Sequence, residues 1–256
     1  MTEQLTIPMA EDDEGANPLQ NNQSPIPLGS ELIEYHHSGS DLINTSATPK
    51  TIIHEDGLVL LYEDFFTPVL SAQIFKVLLA QVDWQQEYIK IYGKTHPSPR
   101  LTAWYGDAAY TYSGINHLPC PWLPLLYQLK TIIEPIAHSK FNSVLLNLYR
   151  NGQDSMGWHS DDEPELGENP SIASLSFGSQ RRFHFKHKAD PLRKVAVDLK
   201  DGSLLLMQGG TQHYWRHQLP KTMRPVPPRI NLTFRWVHHL PVISNAPENV
   251  RNRGLV

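Results

Sequence analysis

The half of the chain after His138 restricts the fold most strongly. It contains seven short segments rich in apolar residues, and Gly, Asp, Asn and Pro fill the gaps between them. This pattern predicts strands joined by turns. The predicted strands cover residues 144–150, 172–177, 182–186, 195–199, 203–207, 213–217 and 229–237. So many short strands favour two packed sheets, as in a sandwich or a jelly roll.

Two helices are predicted before these strands. Ser71 can cap the first helix, whose apolar residues recur at helical spacing between Ile74 and Val82. The second helix runs from about Trp122 to Ala137, and Pro135 should bend its last turn. Two strands, residues 52–53 and 58–62, are predicted around a turn. The fold class is therefore α+β, with a jelly-roll core and the N-terminal helices packed on one sheet.

The composition divides the chain into three parts. Residues 1–50 hold eight acids, one lysine and little apolar surface, which predicts a disordered acidic tail. Residues 51–240 form the predicted domain, and residues 241–256 a C-terminal tail. Cys120 is the one cysteine, so no intrachain disulfide can form. With no leader and no apolar run of about 20 residues, we expect a cytoplasmic protein that does not enter membranes.

The net charge of −4 hides an asymmetry along the chain. Residues 181–256 hold fourteen Lys and Arg against four Asp and Glu, a net charge of +10. A basic segment on an otherwise acidic protein indicates a polyanionic partner on one face. The alternative is a mixed surface on which the basic residues are scattered.

A metal site is indicated by His159 and Asp161, which are two residues apart. In an extended chain such residues point to the same side, so both can reach one ion. A third ligand is needed, and His217 is a candidate, but His213 lies on the same face of the predicted strand. Two imidazoles and one carboxylate on one face of an ion are the ligands of non-haem Fe(II) oxygenases.

The predicted strand over residues 229–235 alternates strictly between polar and apolar side chains. Arg229 and Arg235 lie about 20 Å apart along one face, at about 3.3 Å per residue, with Asn231 and Thr233 between them. Arginine side chains match carboxylates with two parallel hydrogen bonds, so this face could hold a small dicarboxylate. The alternative is an ordinary solvated face of a surface strand.

Asn147 and Tyr149 share one face of an earlier predicted strand. Both can hydrogen-bond a ligand, and both need a partner if they face inward, because an unpaired buried polar group costs about 1–3 kcal/mol. By itself this strand indicates little.

These residues together resemble the AlkB family of Fe(II)/2-oxoglutarate-dependent nucleic-acid demethylases. The resemblance covers about Leu58 to Trp236. Its motifs are Asn147-Leu148-Tyr149, His159-Ser160-Asp161, His217 and the stretch from Arg229 to Arg235. Other stretches, such as residues 99–106, 110–113, 158–164 and 172–178, are similar to the branch of the family that prefers single strands. The resemblance implies a double-stranded β-helix core, the jelly roll of these oxygenases.

The resemblance also implies ligands. Fe(II) would be held by His159, Asp161 and His217, because the last family ligand precedes a small-x-Pro turn, as Gln218-Leu219-Pro220 does here. O₂ takes a remaining metal position. The residues implied to bind the co-substrate 2-oxoglutarate are Asn147, Tyr149, Arg229, Asn231, Thr233 and Arg235. Arg235 would hold the end next to the metal, and Arg229 the distal carboxylate.

The implied activity is removal of N-methyl groups from bases such as 1-methyladenine and 3-methylcytosine, in single-stranded DNA or RNA, by a monomer. The predicted substrate-binding residues are Arg100, Tyr110, Tyr112, Trp158, Asp162, Glu163 and Arg182. Tyr110 and Tyr112 would stack on the base, and the acids would accept from its amine. Further phosphate candidates are Arg181, Lys186 and Lys188. Each has an alternative as a core, loop or surface residue.

One departure concerns strand preference. Some relatives that prefer double strands carry a basic residue directly after the first histidine, where this chain has Ser160. Two other functions remain open: hydroxylation of a small molecule or a protein on the same core, and nucleic-acid binding without catalysis.

Overall fold

The computed structural model describes residues 43–44, 48–91, 93–107, 110–112, 115–117 and 119–238. The side chains of residues 90–91, 110–112 and 115–117 are outside this description. The predicted C-terminal tail and almost all of the predicted N-terminal tail also lie outside the described residues. Within the described chain, none of the helices has the length and apolar character needed to cross a bilayer.

The described chain forms antiparallel strands, two long helices and two short helical turns. The strands are β1 (Lys50–Ile53), β2 (Leu58–Tyr62), β3 (Tyr88–Ile91), β4 (Lys94–Pro97), β5 (Leu101–Gly106), β6 (Tyr110–Tyr112), β7 (Ile115–His117), β8 (Ser143–Tyr149), β9 (Met156–His159), β10 (Ile172–Gly178), β11 (Arg181–His187), β12 (Lys194–Leu199), β13 (Ser203–Gln208), β14 (Trp215–Leu219) and β15 (Arg229–Arg235). The helices are α1 (Pro68–Gln81), α2 (Pro124–Ala137) and α3 (Thr211–Tyr214), and Pro164–Leu166 form a 3-10 turn.

Two sheets pack face to face, as predicted for a jelly roll. The large sheet has the order β1-β2-β13-β10-β15-β8-β5, and the small sheet the order β12-β11-β14-β9. Two hairpins, β3–β4 and β6–β7, stand apart from them. Sheets stacked in this way hold side chains of both inner faces between them, and this interior is where the candidate site lies.

Strand β15 shows how the sequence pattern builds these layers. Its apolar side chains, Ile230, Leu232 and Phe234, are fully buried with residues of both long helices in the main hydrophobic core. Its polar side chains point to the other side, into the space between the sheets, and they are buried as well. The helices therefore cover the outer face of the large sheet, and the polar face of β15 faces the interior.

Both long helices begin with proline. Helix α1 starts at Pro68, and the Thr67 side chain caps it by accepting from Leu70 N at 3.4 Å. Proline fits the first helical position because it has no N–H to leave unpaired. The prediction of Ser71 as the cap is wrong, since Ser71 lies inside the helix and is buried. Helix α2 ends at His138 in the left-handed conformation, with φ of 48°.

The predicted strand over residues 213–217 is wrong in its first half. Residues Thr211–Tyr214 form the helical turn α3, and the strand starts at Trp215. The hydroxyl of Thr211 accepts from Leu58 N and donates to Gln208 O, which fixes this turn against β2. His213 therefore does not share a strand face with His217.

The region from Trp84 to Tyr112 contains strands that its sequence does not predict. The hairpin β3–β4, strand β5 and strand β6 all lie within it. Strand β5 pairs with β8 at the edge of the large sheet, with Thr102 opposite Asn147. The aromatic and turn-forming residues of this region mask any alternation, which is the signal that a half-buried strand usually gives.

Candidate active site

Three metal-binding side chains meet between the two sheets. The ligand atoms of His159, Asp161 and His217 all lie within 4.8 Å of one another. His159 and His217 are direct partners on the neighbouring strands β9 and β14, and their ring centroids are 4.2 Å apart. Asp161 follows two residues after His159. The register of the small sheet thus brings two distant parts of the chain to one point.

Hydrogen bonds orient the three groups towards a common centre. His159 Nδ1 lies 2.9 Å from Gly157 O and donates a hydrogen bond to it. This leaves the lone pair of Nε2 for a metal ion. That Nε2 lies 3.7 Å from Asp161 Oδ1. Among the described residues, Asp161 Oδ1 and His217 Nδ1 have no hydrogen-bond partner although both are buried. Buried polar atoms normally have partners, so these atoms fit a metal ion.

The protonation states also suit a metal. Burial, with a smaller contribution from the neighbouring His159, lowers the pKa of His217 to about 3. Burial likewise lowers the pKa of His159. Burial alone would raise the pKa of Asp161, but the Arg235 guanidinium and the two histidines outweigh it and bring the pKa to about 2. At neutral pH the three groups are therefore two neutral imidazoles and one carboxylate, the forms that bind metal.

A small cavity of about 40 Å³ extends from these residues between the sheets. Its lining comes from both sheets: Leu145, Asn147, Tyr149, Met156, His159, Asp161, Ser174, Phe183, Met207, His217, Asn231, Thr233 and Arg235. Phe183 stacks on the His217 ring at 5.3 Å. The cavity therefore joins the metal ligands to the polar face of β15.

Arg229 is a buried cation at the far end of that face. Its guanidinium carbon lies 5.4 Å from the centre of the Tyr149 ring, and its Nη2 donates to Ser176 Oγ. Burial lowers its pKa to about 10, so it stays charged at neutral pH. Among the described residues no carboxylate pairs with it, and its Nε has no partner. An unpaired buried charge is costly, so this end of the polar face fits an anion.

The polar residues between the two arginines fall into facing pairs. Tyr149 lies opposite Arg229, and Asn147 lies opposite Asn231, across β8 and β15. Asn231 donates to Ser174 Oγ and Leu175 O and accepts from Thr233. Asn147 Oδ1 accepts from Arg100 Nε at 2.7 Å, which leaves the Asn147 amide nitrogen as its donor. Asn231 and Thr233 are thus largely bonded to each other and to β10.

Arg235 lies at the metal end. Its Nη2 donates to Asp161 Oδ2 at 2.9 Å, and both side chains are almost fully buried. The pair fixes one carboxylate oxygen and leaves Oδ1 for the metal. Arg229 and Arg235 therefore stand at opposite ends of the polar face of β15, as its alternation predicted, and Arg235 lines the cavity.

Two of the three arginines predicted to bind phosphate, Arg100 and Arg181, are buried, and Arg182 is exposed. Arg100 is buried and donates to Asn147, so it supports the wall of the cavity. Arg181 is buried and donates to three backbone carbonyls, those of Asn151, Asp154 and Pro220. Arg182 is exposed but forms a two-pronged pair with Asp198. A sequence pattern gives the residue type, but it does not show which backbone carbonyls a buried arginine reaches.

The other predicted substrate residues lie next to the metal ligands in the chain or fall outside the description. Asp162 is exposed and accepts from Lys188 Nζ at 2.9 Å, and Glu163 is half-buried beside it. Trp158 is half-buried, with Lys186 Nζ 4.3 Å from its ring centre. Tyr110 and Tyr112 lie on β6, and their side chains are outside the described residues.

Gln212 contacts the metal triad, and sequence reasoning missed it. It is buried in α3, and its Oε1 accepts from Asp161 N at 3.0 Å. Its Nε2 lies 3.7 Å from Sδ of Met207, a residue that lines the cavity. Its place five residues before His217 gives no signal, because the helical turn that aims it was not predictable.

Comparison with known proteins assigns this arrangement to a family. The sequence profile of the 2OG-Fe(II) oxygenase superfamily matches residues 58–235. The chain is 45% identical to mouse alpha-ketoglutarate-dependent dioxygenase alkB homolog 3 over 189 residues, 70% of this chain. It spans only 66% of that relative's length.

Two further likenesses point the same way. The chain is 40% identical to human DNA oxidative demethylase ALKBH2 over 197 residues, which cover 72% of this chain and 76% of the relative. In fold it is similar to the solved structure of OsALKBH1, with a TM-score of 0.55 and 16% identity over 74% of this chain and 100% of the other. The profile match, the two relatives of similar sequence and the geometry of the triad show that the chain belongs to the AlkB family within the 2OG-Fe(II) oxygenase superfamily.

Proposed function

We propose that this protein oxidatively removes N-methyl groups from bases in nucleic acid, using Fe(II), 2-oxoglutarate and O₂. The observation that carries the proposal is that the metal triad occurs together with Arg229, a buried cation for which the described chain supplies no carboxylate. A relative of similar sequence carries the name DNA oxidative demethylase, which supports the choice of reaction.

The side chains of the site are suited to hold Fe(II) and 2-oxoglutarate. His159, Asp161 and His217 would hold Fe(II) and leave its other positions open. Arg229, with Tyr149 and Asn147, would hold the distal carboxylate of 2-oxoglutarate, and Arg235 the end nearer the metal. When bound, the iron and its co-substrate supply an oxidant that inserts oxygen into a C–H bond, with 2-oxoglutarate converted to succinate and CO₂. The protein orients its ligands and excludes water.

On the substrate, oxygen insertion converts N–CH₃ into N–CH₂OH. The C–N bond of this hemiaminal then breaks, which releases formaldehyde and leaves N–H on the restored base. The base must leave its stack to reach a metal that lies between two sheets. Asp162 and Glu163 lie directly after the metal ligand Asp161 in the chain, where they can accept from the amine of a 1-methyladenine or 3-methylcytosine type of base.

The outer face of the small sheet supports a nucleic-acid substrate. Lys194, Lys186 and Arg216 lie side by side on β12, β11 and β14, since Lys186 pairs directly with both of the others. Among the described residues, no carboxylate lies within 4.0 Å of any of the three. Like charges directly opposite one another destabilise a sheet, so this row of cations fits the phosphates of a polyanion.

A single-stranded substrate is the finer part of the proposal. Ser160 Oγ donates to Trp215 O, so the residue after the first histidine points into the protein and offers no cation to a second strand. The hairpin β3–β4 stands free of both sheets and presents the exposed Tyr88. A monomeric state and a cytoplasmic location stay predictions, which size-exclusion chromatography and cell fractionation test.

Formaldehyde release from a panel of methylated oligonucleotides tests this function. Single and double strands carrying 1-methyladenine or 3-methylcytosine are compared with and without 2-oxoglutarate. We expect release that needs 2-oxoglutarate, is higher for single strands, and is lost in His159→Ala. His213→Ala, an exposed histidine close in sequence to His217, is the matched control and should retain activity. Succinate production that does not respond to methylated oligonucleotides would instead indicate a hydroxylase of another substrate.

A further inference from the structure

Three strands of the large sheet end at the same edge, next to the metal triad. Gly106, Ser143 and Arg235 are direct partners across β5, β8 and β15. Arg235 contacts Asp161, so this edge is the rim nearest the metal. The next residues along these strands, Asp107, Asn142 and Trp236, therefore lie on the rim, outside the cavity.

A groove of about 580 Å³ runs along this rim, between helix α2 and the segment that follows β15. Tyr127, Lys130, Trp236 and His238 line it together with the rim residues. We refer to it as the α2 groove. It is separate from the active-site cavity, since the two have no lining residue in common.

The α2 groove exposes aromatic rings that a folded chain would normally cover. Tyr127 is 52% exposed and Trp236 is 44% exposed. Lys130 Nζ lies 4.4 Å from the centre of the Tyr127 ring and 5.2 Å from that of Trp122. Exposed aromatic rings next to a cation form the kind of platform on which single-stranded bases stack.

Two lysines and two carboxylates line the groove, so its formal charges balance, and what it offers a ligand depends on where each charge lies. Glu134 accepts from Lys140 Nζ and Phe141 N, and Asp107 accepts from Trp122 Nε1. Both carboxylates are thus bonded within the protein. Within the described residues, no carboxylate lies within 4.0 Å of Lys130 Nζ. An anionic partner with planar rings matches this surface better than an acidic or a purely apolar peptide does.

Packing connects the groove to the active site. Val237, which lines the groove, belongs to a small apolar cluster with Leu145 and Leu166, and Leu145 lines the active-site cavity. His238 N donates to Glu165 O at 2.7 Å, which ties the groove to the loop after Asp161. One layer of side chains therefore separates the groove from the place where a flipped base would enter.

We propose that the α2 groove binds the bases that flank the lesion on one side of a single strand, by stacking on Trp236 and Tyr127 with Lys130 beside the phosphate. The proposal rests on the proposed function, because it takes the substrate to be a nucleic acid. It adds a second contact surface on the rim, apart from the row of cations on the small sheet.

Binding measured by fluorescence anisotropy tests the groove in the full chain with Mn²⁺ and 2-oxoglutarate and without O₂. The probes are a trinucleotide with a central 1-methyladenine and oligonucleotides of about twelve nucleotides with the lesion near either end. The groove can reach the bases on only one side of the lesion, so only one of the two long oligonucleotides should respond. For that oligonucleotide, we expect Trp236→Ala and Tyr127→Ala each to raise the Kd about tenfold. The Kd for the trinucleotide and for the oppositely extended oligonucleotide should change by less than about twofold.

The matched control is Leu79→Ala on helix α1, a side chain that is 43% exposed and lies outside the groove; its Kd values should not change. An equal loss of affinity for the long oligonucleotides and the trinucleotide would overturn the proposal that the groove binds flanking bases, because it would show a general effect on the fold. Unchanged binding of every probe would overturn it as well. Failure of the proposed function is distinguishable, since it would appear as no formaldehyde from any oligonucleotide in the wild-type protein.

Discussion

The side-chain carbonyl of Gln212 accepts a hydrogen bond from the backbone N–H of Asp161 at 3.0 Å, and neither residue is accessible to solvent. The bond ties the loop that carries a metal ligand to the helical turn before β14. Lys188 Nζ also donates to Gln212 O, and to Asp162 on the same loop. The position of Asp161 is therefore set by a residue that does not contact the metal.

Gln212→Ala should weaken metal binding about tenfold, since residues that orient a metal ligand typically contribute 10–100-fold. Calorimetric titration with Mn²⁺ measures the Kd. Gln212→Glu keeps an oxygen acceptor for Asp161 N and should recover most of the affinity. Gln153→Ala, in a loop away from the site, is the control. A metal-free melting temperature that falls with an unchanged Kd would assign Gln212 a structural role only.

Replacing Arg229 should separate stability from co-substrate binding. Arg229→Met removes a buried charge that has no carboxylate partner in the described chain, so the free energy of unfolding without 2-oxoglutarate should stay the same or rise. The KM for 2-oxoglutarate should increase by roughly 30- to 150-fold, the loss of about 2–3 kcal/mol from a charge-assisted pair. Thermal shift with and without 2-oxoglutarate, and initial rates, measure the two effects. A large loss of stability with an unchanged KM would contradict this account.

The metal-free protein should lose stability as the pH falls below about 6.5, the unfolded pKa of histidine. Burial lowers the pKa of folded His217 to about 3, so between these values the unfolded chain binds more protons. The slope from this one group is at most about 1.4 kcal/mol per pH unit. Asp161, whose folded pKa is about 2, keeps its contribution down to the unfolded value of 3.8 and loses it below.

Denaturant unfolding of the chelator-treated protein at several pH values checks this slope. In His217→Phe, which keeps a ring against Phe183 but cannot bind a proton, the slope between about pH 6.5 and pH 3 should be smaller. An identical slope in both proteins would show that other groups control acid unfolding.

The row of cations on the small sheet should determine how salt affects binding. Each of Lys186→Ala and Arg216→Ala should reduce the slope of log K against log salt concentration by about 0.7–0.9 for single strands or duplexes. At low salt each should also raise the free energy of unfolding by a few tenths of a kcal/mol, because it relieves repulsion between paired positions. Lys76→Ala, an exposed lysine on α1, should leave the slope unchanged. An equal slope in all four proteins would remove this face from the interface.

The alternation of β15 shows what the sequence could predict and what it could not. Arg229 and Arg235 on one face followed from the period of a strand, and so did the apolar face that packs on the helices. That the polar face is buried depends on the small sheet that covers it, and no local pattern reports a distant sheet.

The same limit explains the errors at single residues. Arg181 has the sequence context of a surface arginine, yet it is buried because three carbonyl groups from other loops converge on it. His213 fits a strand pattern, but contacts of Thr211 with β2 fold its segment into a helical turn. Both outcomes depend on long-range packing, which overrides local preference.

The two halves of the sandwich carry different parts of the site. His159 and His217 stand on the small sheet, whereas Asn147, Tyr149, Arg229 and Arg235 stand on the large one. A ligand that touches both halves acts as a crosslink between layers. Binding of the metal ion and 2-oxoglutarate together should therefore raise the melting temperature by more than the sum of the increases that each gives alone. A protein with only one of them bound should separate first at the interface between the two sheets.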